Sequence, residues 1–132
     1  MYVTIDTSAL IAVIGNEKSK QGIIEATSGC SLYAPSSVHW EVGNALSAMF
    51  KRGCSTIELA RSALAAYREI PIKFIDISLE HTLDISHALN IYAYDAYLIQ
   101  CAQQTSTSLL TLDKALKITA EKMGIHVLEI KS

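Results

Sequence analysis

Short apolar runs alternate along this chain with longer segments of helical periodicity. Tyr2 to Ile5, Ser31 to Ala34, Ile72 to Asp76, Ser108 to Leu112 and Ile125 to Ile130 have the length and composition of five strands. Between them, apolar residues recur every three or four positions. Val38, Val42, Ala45, Leu46 and Met49 make one such stripe, on a helix that Ser36 or Ser37 can cap and that Gly53 can stop after Arg52. Ser55 with Glu58 forms a capping box for the next helix, which must end before Pro71. Further helices fit Ser78 to Leu89 with Asn90 as the stop, Tyr94 to about Thr105, and Lys114 to Met123 closed by Gly124. No repeat, low-complexity tract or linker interrupts the series.

Strands separated by helices pair in parallel through right-handed crossovers. The expectation is a three-layer α/β/α domain with a central parallel five-stranded sheet, residues 1–132 forming one domain. Ligands of such sheets sit beyond the carboxyl ends of the strands, near a topological switch point. Asp6 follows the first strand and Asp113 the fourth, so their carboxylates converge if those strands are neighbours. Helix N-capping is the ordinary alternative for both.

Glu41 and Asp95 lie in helical segments among apolar neighbours. Leu98, Ile99 and Ala102 put Asp95 in line with a buried stripe, while Gln100, Gln103 and Gln104 take the wet side. Val38, Ala45 and Ala48 flank Glu41. The alternative for Asp95 is the cap of a helix starting one residue later. Buried carboxylates are costly unless paired, protonated or bound to metal. Four of them without interleaved Lys or Arg repel one another unless a divalent cation sits between them, and all-oxygen ligation suits Mg²⁺ or Mn²⁺. Such an ion lowers the pKa of a bound water and neutralises phosphate charge, so no nucleophilic side chain is required.

Half of the residues are apolar and 18% are charged, the balance of a globular protein. No apolar run is long enough to span a bilayer, and the opening residues read as a strand and not as a secretory signal, so a cytoplasmic location without membrane contact is expected. Cys30, Cys54 and Cys101 are widely spaced and read as reduced packing residues. A net charge of −2 is unusual for a protein that handles nucleic acid. Setting the four acids aside leaves nine of thirteen against eleven Lys and Arg, a mildly basic remainder.

Four segments carry a family resemblance: MYVTIDTSAL at Met1–Leu10, EVGNAL at Glu41–Leu46, YDAYLIQCA at Tyr94–Ala102 and LLTLDKAL at Leu109–Leu116. They resemble the signature segments of PIN-domain nucleases, in particular the short ribonuclease toxins of bacterial toxin–antitoxin pairs often called VapC-type. The resemblance spans essentially the whole chain. It implies that Asp6, Glu41, Asp95 and Asp113 form a metal-binding acidic pocket, with Ser8 and Thr111 as small polar neighbours. It also implies Mg²⁺- or Mn²⁺-dependent endoribonuclease activity on RNA, homodimers and inhibition by a cognate antitoxin protein. Thr111, two residues before Asp113, should face the same side of a strand. Asn44, three residues after Glu41, lies on nearly the same helix face and is a further substrate-binding candidate, a plain surface role being the alternative. Only the Gly15-Asn16-Glu17 turn departs from the acidic-proline turn frequent in relatives.

His39, His81, His87 and His126 show no helical metal-ligand spacing, and His39 reads as a surface or packing residue. Asp76 ends a strand expected at the sheet edge and precedes the Ser78 cap. Lys51 with Arg52, Arg61 with Arg68, and Lys114 with Lys117 suit either an RNA backbone or solvent. Trp40, Met49 and Phe50 lie in or beside an apolar helix face and suit a dimer or antitoxin surface, although at least half of them should pack in the core. Two other functions compete. An aspartyl-phosphate phosphatase needs a second Asp where Ser8 stands, and a receiver needs paired acids after the first strand. A catalytically silent RNA- or protein-binding module keeps the fold but does not need the acids, and all four are present.

Overall fold

The computed structural model describes residues 1–131. Its sheet is built from β1 (Tyr2–Ile5), β2 (Ser31–Pro35), β3 (Ile72–Ile75) and β4 (Ser108–Leu110), all parallel, in the order β3-β2-β1-β4. β1 is central, with Val3, Thr4 and Ile5 all buried, which is why its sequence is apolar without strict alternation. The polar exception, Thr4, is satisfied by a 2.7 Å hydrogen bond between its hydroxyl and that of Thr107.

Four strands pair as a sheet where five were expected. β4 ends at Leu110 because the next amides turn to side chains: Leu112 N–H donates to Ser8 Oγ and Asp113 N–H to Thr111 Oγ1. A three-residue strand offers its outer edge only at its middle residue, since successive backbone groups point to opposite sides. Leu109 N–H accordingly donates to His126 O and Leu128 N–H to Leu109 O, and the fifth run contributes a single parallel bridge at Val127.

The helices are α1 (Thr7–Ile14), α2 (Lys20–Ala26), α3 (Ser37–Lys51), α4 (Ile57–Arg68), α5 (Leu79–Leu89), α6 (Ala93–Thr105) and α7 (Lys114–Lys122). The connections β1 to β2 to β3 step one way across the sheet and β3 to β4 returns. Right-handed crossovers therefore place α1–α4 on one face and α5–α6 on the other, the three-layer arrangement. α3 lies on β2 and packs with α1 and α4, while α6 crosses β1, β2 and β4 and carries α5. The chain leaves β1 and β4, which are neighbours, in opposite directions, and this is the switch point of the sheet.

Several boundaries follow the local chemistry. Asn90 and Gly53 both take the left-handed conformation that ends a helix (φ 53° and 77°). The α4 cap is Thr56, whose hydroxyl accepts from Leu59 N–H, and not Ser55. Gln100 is buried instead of wet. Its amide donates to Gln104 Oε1, and Gln104 in turn donates to Asp76 O and accepts from Ser78 N–H, tying α6 to the β3–α5 connection. No helix among the described residues is long and apolar enough to cross a membrane.

Candidate functional site

Asp6 and Asp113 leave adjacent strands at the carboxyl edge, and both cap the helix that follows. Asp6 Oδ1 accepts from Ala9 N–H, and Asp113 Oδ1 from the N–H groups of Ala115 and Leu116. The capping alternative is thus correct for both, and capping is also what fixes the two carboxylates at the switch point. Asp95 caps nothing: α6 starts at Ala93, which puts Asp95 in its first turn. Glu41 reaches the same edge from α3, where Val38 and Val42 are buried and hold the helix against the sheet.

Asp6 is 6% exposed and held by three donors. Ser8 Oγ donates to its Oδ1 at 2.7 Å, Thr111 Oγ1 to its Oδ2 at 2.5 Å, and Ala9 N–H closes the set. Ser8 and Thr111 also accept from Leu112 and Asp113 N–H, so two hydroxyls stitch the ends of β1 and β4 together. Thr111 does this from just beyond β4 and not from within a strand, as its spacing from Asp113 suggested. Thr7, at the start of α1, donates to Glu41 Oε2 at 3.4 Å.

The electrostatics join all four acids. Burial, opposed by the Thr7 hydrogen bond and assisted by the charges of Asp6 and Asp95, pushes the Glu41 carboxyl up to about 7. Burial also raises Asp6, opposed by its three hydrogen bonds and assisted by Asp113. Asp95 is raised by burial and then by Asp113. Among the described residues no Lys or Arg pairs with any of the four, the one ion pair being Lys117 with Glu129 at 3.5 Å. Nor do three acidic, histidine or cysteine side chains among the described residues stand close enough to form a ready-made metal cage. The donor chemistry nonetheless fits a hard divalent cation, being all carboxylate and uncompensated.

The sequence as a whole carries an independent sign of the same kind: the family model of the PIN domain matches residues 3–122. The chain belongs to the PIN-domain family. PIN domains are typically metal-dependent nucleases. This PIN domain is similar in fold to a protein from Pyrobaculum aerophilum (TM-score 0.73, 20% identity, covering 96% of this chain and 92% of that one). It is equally similar to VapBC2 from Rickettsia felis bound to a DNA fragment from their promoter (TM-score 0.73, 16% identity, 99% and 100% covered). A domain from Methanocaldococcus jannaschii follows (TM-score 0.56, 18% identity, 99% and 91% covered). Comparison with curated proteins returns no match.

Asn44 lines a cleft with Glu41, Asp76, Trp40, Tyr94 and Tyr97. Asp76 therefore borders the site region although β3 is the sheet edge. Trp40 and Phe50 are exposed and only Met49 is partly buried, so fewer of these three pack inside than their stripe suggested. His39 packs, as expected, with its Nδ1 3.0 Å from Tyr67 Oη. The Thr7 contact escaped the sequence because it depends on how α1 meets α3. The only available signal was a hydroxyl beside Asp6.

Proposed function

We propose that this PIN domain is a Mg²⁺- or Mn²⁺-dependent endoribonuclease and the toxin of a toxin–antitoxin pair, with Asp6, Glu41, Asp95 and Asp113 as its metal-holding catalytic acids. One observation carries this reading. Four carboxylates from four different elements gather with no cation paired to them, and burial first and neighbouring acids second raise the pKa of Asp6, Glu41 and Asp95, an arrangement that costs stability and is relieved by a divalent ion.

Asp6 is the fixed member of the set, and Ser8 and Thr111 act as positioning residues that hold both of its oxygens. Asp113 is fixed by its cap, while Glu41 and Asp95 are half-buried and free of strong hydrogen bonds, suited to adjust when substrate arrives. Together the four carboxylates would hold a Mg²⁺ or Mn²⁺ ion, hard cations that take oxygen ligands. When bound, the ion supplies water activation and charge neutralisation at the scissile phosphate. The likeness to VapBC2 supports a protein antitoxin as partner, and the resemblance of the four acidic segments to ribonuclease toxins supports a homodimer acting on RNA in the cytoplasm.

Direct attack by water makes a prediction about product ends. Cleaved RNA oligonucleotides should carry phosphomonoester and hydroxyl ends, with no 2′,3′-cyclic phosphate, by mass spectrometry. Cyclic phosphate ends would mean attack by the ribose 2′-hydroxyl and would contradict the mechanism. A second reading, a binding module without activity, predicts RNA binding with no products in either metal.

A further inference from the structure

Beside the acidic centre lies a cleft of about 690 Å³, within the range of small-ligand sites. Three aromatic side chains, Trp40, Tyr94 and Tyr97, line it together with Glu41, Asn44 and Asp76, and no Lys or Arg is among the described residues on its wall. Trp40 is 74% exposed and Tyr94 61%, although large rings are normally covered. Glu41 belongs both to this wall and to the acidic cluster, so a ligand in the cleft abuts the reacting centre.

We propose that the cleft is a nucleobase subsite, in which an unpaired base next to the scissile phosphate stacks on Trp40 and Tyr94; this rests on the nuclease reading for where the phosphate lies. Carboxylates without cations repel a phosphate, which leaves the base end of a nucleotide as the part that fits. Aromatic faces accept any base by stacking, and Asp76 and Asn44 offer oxygen acceptors to exocyclic amines. A base in a duplex has both faces stacked and its pairing edge occupied, so the cleft selects single-stranded segments.

Trp40 is the only tryptophan of the chain, which makes its fluorescence a reporter of this cleft. The test titrates the protein in Ca²⁺, which neutralises the acids, with a single-stranded RNA oligonucleotide, the same strand as a duplex, and an abasic strand. The single strand should quench Trp40 saturably, the other two should not, and Tyr94→Ala should weaken binding about tenfold, the scale of one lost stacking contact. Cleavage by the metal-loaded protein with Trp40 unmoved and Tyr94→Ala binding as wild type would overturn the subsite while leaving the nuclease reading intact. Quenching without any cleavage would do the reverse. If Trp40 is shielded from acrylamide in the free protein and Trp40→Ala turns a dimer into a monomer, a second copy fills the cleft and the proposal fails.

Discussion

Thr111 and Ser8 show how much of the site is made by residues that carry no charge. Each donates its one hydroxyl proton to Asp6 and accepts a backbone N–H from the segment after β4. Thr111→Val removes the donor to Asp6 Oδ2 and leaves Asp113 N–H without its acceptor. It should cost about 1–3 kcal/mol in urea unfolding and lower kcat roughly 10- to 100-fold, with Thr111→Ser recovering most of both. Equal losses in Thr111→Val and Thr111→Ser would mean that the methyl group's packing matters and the hydrogen bonds do not. Glu41 and Asp95 stood out because a carboxylate in line with an apolar stripe conflicts with its surroundings, whereas Asp6 and Asp113 suit their caps locally and were marked only by their places at strand ends. The hydroxyls were readable only by their neighbourhood: Ser8 and Thr111 each stand two residues from an acid. Thr7 and Gln100 were not, since a hydroxyl or amide suits water and a buried hydrogen bond equally well.

Helices announced their ends more clearly than strands did. A cap is a local event, written in one side chain and the N–H two or three residues on, and Ser78, Asn90 and Asp113 each sit where such an event was legible. Thr56 displaced Ser55 because the two hydroxyls are adjacent and either can cap; backbone geometry decides. Thr56→Ala should therefore cost about 1 kcal/mol and Ser55→Ala close to nothing, by thermal or chemical unfolding. The fifth run stayed a single bridge because strand length depends on the partner's free edge, which a sequence does not display. Its continuation still packs closely. A Cβ on Gly22 would lie 1.9 Å from Lys131 O and 3.1 Å from Ile130 Cγ2, so the segment after the bridge lies directly on α2. Gly22→Ala should displace that segment and destabilise the protein by about 1–3 kcal/mol, seen as a lower urea midpoint.

Strand order is where local signals stop, for nothing in β1 or β4 alone says that they are neighbours, and that adjacency is what gathers charge from across the fold. Because burial and mutual repulsion raise the carboxyls of Asp6, Glu41 and Asp95, the folded protein holds more protons than the unfolded chain. Its metal-free stability should be highest below the ordinary Glu value of 4.5 for this contribution, and be lost as pH rises through about 7. Mn²⁺ should therefore raise Tm more at pH 8 than at pH 5.5, and an ion at a hundredfold its Kd adds about 2.7 kcal/mol. An Mn²⁺ shift that is the same at both pH values would detach the metal from these acids. The most direct test of the nuclease assignment is cleavage of total cellular RNA by the purified protein with Mg²⁺ or Mn²⁺, beside EDTA and Asp6→Asn arms. Discrete fragments that vanish in both arms, from an Asp6→Asn protein that still melts cooperatively, are the expected result; intact RNA from folded, metal-loaded protein, or fragments that persist in Asp6→Asn, would contradict it.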